Sequence, residues 1–405
     1  MSAAPVAREA DGAEIVPSGS GSGASGGVEC LAMPTILGIE STCDETAASI
    51  VLDGYDVRSN VVATQAELHA KYRGVVPEIA SRAHIENILP VLREAVAGGR
   101  RDVVEGRSGG GVGSDRSALH HSTTPSLHHL LAGIDAVAVA HRPGLIGSLL
   151  VGVTAAKTLA WALGKPLIGV DHVHAHLYSV VLGAGETPPM PAVGLVVSGG
   201  HTALYRVGGW LDVRLIGSTI DDAVGEAYDK VAAVLGLGYP GGPVLDQLAE
   251  TGDPRAVQFP RTLLGRDSLD FSFSGLKTAV LYHVRGVPGR GEDVKAGGPA
   301  VLDDQEVANI AASFQAACVE VIVKKLRRAI EHVGAKSVIV GGGVSANRGL
   351  REALTRLPVP AFVPPMKYCT DNAAMSAGLA DVYYRHGSFS ALDLDAVTYS
   401  QFRDG

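Results

Sequence analysis

Apolar and polar positions in this chain switch repeatedly between the two-residue period of strands and the 3.6-residue period of helices, which predicts an α/β protein. Thr35–Glu40 (TILGIE) reads as an apolar strand and Ala47–Leu52 (AASIVL) as another, with the polar turn STCDET between them. Pro191–Val207 repeats the plan: AVGLVV, the turn SGGHT, then ALYRV. Two copies of strand, polar turn and strand, each followed by further α/β sequence, predict an internal duplication. Leu145–Val170 is the most apolar stretch, but Lys157, several glycines and Pro166 interrupt it. It is read as a buried helix followed by a strand, not as a membrane span.

Further along, an amphipathic helix is predicted from about Gln305 to Val333, closed by Gly334 at a C-cap position. The strand SVIVGGG, a glycine loop and a helix from near Asn347 follow. A strand feeding a glycine loop and a helix N-terminus is suited to a phosphate or nucleotide edge. Residues 1–33 contain SGSGSGASGG and read as a disordered tail. A second low-complexity stretch, about 97–129, carries His120, His121, His128 and His129. No rigid element fixes those four, so an insertion is expected there, not a metal tract.

Composition sharpens this picture. With 405 residues, 46% hydrophobic, the chain is long enough for two domains or one duplicated unit. A formal charge of −8 argues against coating nucleic acid unaided, so a polyanion partner needs a local basic patch or a helper subunit. The run Lys324, Lys325, Arg327, Arg328 is such a patch or, more ordinarily, a solvated helix face. Cys30, Cys43, Cys318 and Cys369 lie far apart and form no CxxC pair, which fits a reducing compartment. Residues 1–33 lack the apolar core of a secretory signal, and a cytoplasmic location is expected.

The candidate chemistry begins at VDHVHAHLYS, residues 170–179. On a helix, residues four apart stand about 40° from each other around the axis, so His172 and His176 share a face. His174 then points nearly the other way, as a solvent-facing or capping residue. Two imidazoles at this spacing suit zinc or iron, yet the pair is incomplete without a further ligand. Polar residues satisfied at a helix start would explain it equally well. Val173 stands where an HExxH peptidase needs glutamate, which counts against a hydrolytic zinc site.

Nine segments then occur in order: ILGIESTCDETAASIV (36–51), GVVPEIASRAH (74–84), LLVG (149–152), VVSGGHT (196–202), IDDAVGEAYDKVA (220–232), YPGGP (239–243), FSFSGLKTA (271–279), GGGVSANR (341–348) and CTDNAAM (369–375). Together they resemble the tRNA threonylcarbamoyltransferase family, once labelled O-sialoglycoprotein endopeptidases, over most of the chain from Pro34 to about Ala380. The resemblance implies two duplicated ribonuclease-H-like lobes of the actin-like ATPase fold around an interlobe cleft. The layout expected is a tail (1–33), an N-terminal lobe (34–170), a C-terminal lobe with the metal and nucleotide sites (171–385) and a second tail (386–405).

The activity implied is transfer of threonylcarbamoyl from threonylcarbamoyl-AMP to N6 of the adenine 3′ of the anticodon in tRNAs reading ANN codons. Metal ligands carry over onto His172, His176 and Asp371, holding one divalent ion, with iron (Fe2+) favoured and zinc the alternative. Asp371 alone would ordinarily be a helix N-terminal carboxylate. The adenylate donor is expected against Val196, Val197, Ser198, Gly199 and Gly200, with further nucleotide contacts at Asp229, Gly242, Asp246 and Asn347. Asp44 and Glu45 are expected to position the acceptor or assist proton loss. Partners implied are tRNA, a homologous paralogue subunit and a P-loop ATPase, with no membrane. Arg142 and Arg73 stand where the family usually has glycine, so the close backbone approach of the loop at Arg142 is expected to be disturbed. Competing readings are a metallopeptidase and a nucleotide-binding subunit of a complex.

Overall fold

Thr35–Glu40 (β1) becomes a strand whose residues are all buried except Thr35. Its side chains alternate between two cores. Ile36 faces a layer between the two sheets of the molecule, while Leu37 and Ile39 face an outer layer of helices. The computed structural model describes residues 33–72, 74–105, 131–286 and 302–400. The N-terminal tail before Met33, Arg73, and His120, His121, His128 and His129 lie outside these.

β1 pairs antiparallel with Glu45–Leu52 (β2), which pairs antiparallel with Asp56–Thr64 (β3). After the helices Ala66–Ala70 (α1) and Pro77–Glu105 (α2), Ala136–Arg142 (β4) joins β1 in parallel. Ile146–Leu163 (α3) then returns the chain to Leu167–Asp171 (β5), parallel to β4. The sheet order is β3-β2-β1-β4-β5.

His172–Tyr178 (α4) leads into the second sheet, and the plan repeats. Ala192–Val197 (β6), Thr202–Gly209 (β7) and Asp212–Ser218 (β8) form the antiparallel part. The helices Val224–Val234 (α5), Gly241–Ala249 (α6), Ser274–Arg285 (α7) and Asp304–Val333 (α8) follow. Ser337–Gly341 (β9) then lies parallel to β6, and Arg348–Leu354 (α9) connects it to Ala361–Phe362 (β10). The order β10-β9-β6-β7-β8 is that of the first sheet read from its other edge. The duplication expected from the two strand–turn–strand copies is therefore present.

Ala373–Arg385 (α10) crosses the first sheet, and α4 packs on β6 and β9 and against α10. Both helices approach their sheets through a glycine in the central strand. A Cβ on Gly38 of β1 would stand 2.4 Å from the carbonyl oxygen of Ala373, and one on Gly194 of β6 would stand 2.9 Å from the Leu177 side chain. Both sheets fall within one compact unit that starts at Pro34.

α3 and α8 are long and apolar enough to cross a membrane. α3 lies on the first sheet through Leu149, Val153, Ala156 and Ala160. α8 supplies Phe314, Val321 and Leu326 to the outer core of the second. α8 starts at a capping box built by Asp303 and Glu306 and ends at Gly334 in the left-handed region, so its predicted limits hold closely. The segment after α10, through Ser400, is laid along the first sheet. The Ser390 amide donates to Leu167 O at 2.8 Å, and Lys157 Nζ donates to Leu394 O at 2.8 Å.

Candidate metal centre

β5 ends at Asp171, and α4 starts with the next residue. Asp171 Oδ1 accepts from the amides of Val173 (3.0 Å) and His174 (3.3 Å), capping the helix and fixing its phase. His172 and His176 consequently share a face, their rings meeting edge-on with centroids 4.6 Å apart. Asp371 arrives from the loop before α10. There Asn372 is the cap, accepting from the Met375 amide at 3.2 Å, which leaves Asp371 to turn toward the histidines. Asp371 Oδ1 lies 3.0 Å from His176 Nε2 and 3.5 Å from His172 Nε2. One ligand atom from each residue falls within 4.8 Å of the others.

These donors fit a small divalent cation. Glu40, the last residue of β1 and fully buried, sets the first imidazole: its Oε2 lies 3.1 Å from His172 Nδ1. With the Nδ1 proton shared to Glu40, the Nε2 lone pair faces the Asp371 oxygen. Electron pairs converging in this way favour a positive charge among them, a proton on an imidazole or a bound cation. Donor atoms of a tetrahedral site with bonds of about 2.0–2.1 Å stand about 3.3 Å apart, close to the 3.5 and 3.0 Å between Asp371 Oδ1 and the two imidazole nitrogens. The surrounding field agrees. Burial opposes charge on His172, but Glu40 and Asp371 override it and lift its pKa to about 9. Burial likewise opposes charge on Asp371, yet His172 and His176 hold its carboxyl well below the usual range.

Of the other expected residues, Asp44 and Glu45 are tied electrostatically to this cluster. Asp44 and Glu45 lie in the turn after β1 and at the start of β2. Burial first, then the charges of Asp371 and Asp44, push Glu45 up to about 10, so these three carboxylates share one field. Val196 and Val197 end β6 with no exposure, whereas Gly199 and Gly200 are exposed with open space beside them. The turn is closed by Ser198, whose amide donates to His201 O at 2.8 Å and whose Oγ accepts from the His201 amide at 3.1 Å. It joins β6 to β7 as a hairpin.

Asp229 Oδ1 accepts from the Gly241 amide at 2.7 Å, and burial raises its pKa. Gly242 leaves open space at the start of α6. Asp246 accepts from Asn347 Nδ2 at 2.8 Å. Asn347 is 7% exposed; its Nδ2 also donates to Gln315 at 2.7 Å, and its Oδ1 caps α9 through Leu350 N at 2.8 Å. Both ends of its amide are engaged within the protein, so Asn347 ties Asp246 to α9.

Three sequence readings need correction. His174 faces protein, not solvent. It is 2% exposed, with the Trp210 and Tyr383 rings each 6.4 Å from its own. Burial drives its pKa down to about 3, and the cap is Asp171. His174 also lines a cavity of about 360 Å3 with Arg142, Trp210 and Tyr383.

The basic run of α8 is not one solvated face. Lys325 falls in phase with Ile322, Leu326 and Ala329 and is fully buried, its Nζ donating to Leu263 O (2.7 Å) and Ser268 O (2.6 Å). Those carbonyls belong to an irregular segment with no sheet partner, and the long stem carries the amine to them. Finally, Arg142 does not disturb the close approach in its loop. That approach is made by Gly144, where a Cβ would stand 2.5 Å from Thr42 O. Arg142 turns instead toward Asp171, 3.8 Å away.

Sequence reading missed Glu40, Thr42 and Ser376 around His172, and Gln315 behind Asn347. The one signal for Glu40 was an acid closing an otherwise apolar strand. Lys277 of the FSFSGLKTA segment pairs with Asp222 at 3.0 Å beside Asp221, which accepts from Ser272 Oγ (2.6 Å) and the Phe273 amide (2.9 Å).

The ends of β1 and β5 carry Glu40 and the ligand helix, and β9 ends at Gly341, where a Cβ would stand 2.2 Å from His176 O. Ligand sites of open α/β sheets lie at such carboxyl ends. Duplicated sheets with a His–Asp cluster there define an α/β protein of the actin-like ATPase fold, fitted to hold a metal ion. The fold is shared with HypF from T. kodakarensis (TM-score 0.52, 15% identity, covering 88% of this chain and 48% of that one). It is also shared with full-length HypF in a phosphate- and nucleotide-bound form (TM-score 0.50, 14% identity, 88% and 47%).

The chain belongs to the TsaD family, tRNA N6-adenosine threonylcarbamoyltransferase, whose sequence profile matches residues 56–99 and 127–378. A relative of that name from Moorella thermoacetica is 49% identical, covering 89% of this chain and 95% of its own length. Another, from Trichlorobacter lovleyi, is 48% identical over the same shares.

Proposed function

We propose that this protein transfers the threonylcarbamoyl group from threonylcarbamoyl-AMP to N6 of the adenine 3′ of the anticodon in tRNAs reading ANN codons. N6-threonylcarbamoyladenosine forms and AMP leaves. The observation that carries the reading is the convergence of His172, His176 and Asp371 in a chain similar to such transferases over nearly its whole length.

His172, His176 and Asp371 hold one divalent ion, Fe2+ in preference to Zn2+. When bound, it supplies Lewis acidity toward the donor's phosphate or carboxylate oxygens. The open backbone at Gly199 and Gly200 receives the adenylate, with Val196, Val197 and Ser198 forming the rigid floor beneath it. Asp229, Gly242, Asp246 and Asn347 take the nucleoside end, with Asn347 also holding Asp246. The N6 lone pair is delocalised into the ring and is a weak nucleophile, so stabilising the developing oxyanion matters more than a strong base. N6 attacks the carbamoyl carbon, the bond from that carbon to the phosphate oxygen breaks, and the amine proton leaves toward Asp44, while Glu45, held protonated by burial and by Asp371 and Asp44, positions the acceptor.

An exposed apolar face supports a protein partner, for which the family resemblance supplies a homologous paralogue, with a P-loop ATPase as a further subunit. Ile85 and Leu89 are a turn apart on α2, and Ile146 and Leu150 a turn apart on α3; all four are exposed. The helices meet where a Cβ on Gly147 would stand 2.4 Å from Ser81 Oγ. A cytoplasmic location is consistent with a tRNA substrate.

The test is a defined reaction: purified protein, threonylcarbamoyl-AMP carrying labelled threonine, and an ANN-decoding tRNA, with candidate partners added or omitted. Label should appear in tRNA nucleosides and vanish with Asp371→Ala. Absence of labelled nucleoside under every partner combination rejects the assignment.

A further inference from the structure

We propose that Glu40 is a positioning residue of the metal centre, holding His172 in the tautomer that presents Nε2 to the ion. The proposal rests on the metal-binding reading of His172, His176 and Asp371. Glu40 closes β1 and has no exposure, and a carboxylate so placed persists only where both oxygens are satisfied. Oε1 accepts from the Thr42 amide at 2.9 Å. Oε2 accepts from Ser376 Oγ at 3.3 Å and lies 3.1 Å from His172 Nδ1. Every neighbour on this carboxylate is a donor or can become one, so both oxygens must remain acceptors.

That requirement decides the imidazole. An Nδ1–H satisfies Glu40 and leaves Nε2 unprotonated, aimed at Asp371 Oδ1 at 3.5 Å. The opposite tautomer would set a lone pair against a carboxylate, with only the Thr42 hydroxyl, Oγ1 3.2 Å from Nδ1, to meet it, and a proton where the ion must sit. His176 has no such arrangement, since its Nδ1 is buried without a hydrogen-bond partner among the described residues. Only His172 is therefore preset, and the first strand of the chain presets it.

Glutamine at this position is nearly isosteric yet has one acceptor oxygen. If that oxygen serves Thr42 N, the amide NH2 faces His172 and selects the tautomer that blocks ligation. If it serves His172, two N–H donors face each other at Thr42. Either arrangement weakens the site without removing a ligand.

The experiment measures Zn2+ and Co2+ binding to the full metal-free chain by competition with a chromophoric chelator, reading the Co2+ d–d absorption in parallel. Wild type should bind one ion and His176→Ala should lose it. Glu40→Gln should bind about 10- to 100-fold more weakly, with an altered Co2+ spectrum. Affinity within about twofold of wild type in folded Glu40→Gln overturns the proposal and leaves the metal centre standing. No binding by wild type overturns the metal reading and this proposal with it. Should Glu40→Gln fail to fold, Glu40→Asp takes its place, keeping two acceptors but withdrawing them by about 1.5 Å. Unchanged affinity there is equally fatal.

Discussion

The two faces of α4 carry the same side chain in opposite states. All seven residues of this helix are buried. On one face His172 lies among Glu40 and Asp371, whose charges overcome burial and lift its pKa to about 9. On the other, His174 sits among Trp210 and Tyr383, whose hydroxyl lies 3.4 Å from its Nδ1, and burial drives its pKa down to about 3. Helix and degree of burial are common to both, so the neighbouring charges make the difference. A field that stabilises a positive imidazole also stabilises a cation between imidazoles, and the aromatic face offers none.

Substitutions on the two faces should therefore fail differently. The largest effect belongs to the acidic face: His176→Ala or Asp371→Ala should lower threonylcarbamoyl transfer by about 100-fold or more in the nucleoside assay, the loss of several kcal/mol of charge stabilisation. His174→Ala should instead cost roughly 2–4 kcal/mol of stability in denaturant titrations, by opening a cavity, while chelator competition shows metal affinity unchanged. A metal-affinity loss in that variant matching His176→Ala would erase the distinction. Adding Zn2+ at about 100 times its Kd should stabilise wild type and His174→Phe by about 2.7 kcal/mol, and His176→Ala by nothing measurable.

The smallest effect extends the comparison to His84 and His141. Burial lowers both pKa values, against the hydrogen bonds of His84 to Cys43 O and of His141 to Asp395 O. A lowered folded pKa means that the unfolded chain binds more protons, so their contribution is intact above the ordinary imidazole value of about 6.5 and is lost as pH falls below it. Replacing either with glutamine should flatten the acid limb of the stability curve, by at most about 1.4 kcal/mol per pH unit. An unchanged limb would mean that these imidazoles titrate normally.

Much of this architecture was legible because it is written in local pattern. TILGIE and AVGLVV could only be buried strands, and their repetition predicted two sheets of one topology. The shared face of His172 and His176 followed from helical geometry. Asp371 did not, because only the ordered run of family motifs joins it to residues almost 200 positions earlier. What escaped is what burial decides through distant partners. His174 was read as solvent-facing because Trp210 and Tyr383, which cover it, come from other elements. Lys325 looked like part of a charged face because its carbonyl partners, Leu263 and Ser268, sit in an irregular segment without a pattern. The sequence likewise does not reveal that the Asn347 amide is engaged on both sides, by Asp246 and by the start of α9.

The cap of α4 is also braced from far along the chain: Asp171 Oδ1 holds the helix while its Oδ2 accepts from Ser400 Oγ at 2.7 Å. During synthesis, Glu40 and both imidazoles leave the ribosome well before Asp371, and Ser400 follows later still. A nascent chain thus displays two of the three proposed ligands for a long stretch of elongation before Asp371 can join them. Ion capture at the proposed centre would then wait on the emergence of Asp371 and the helix that follows it.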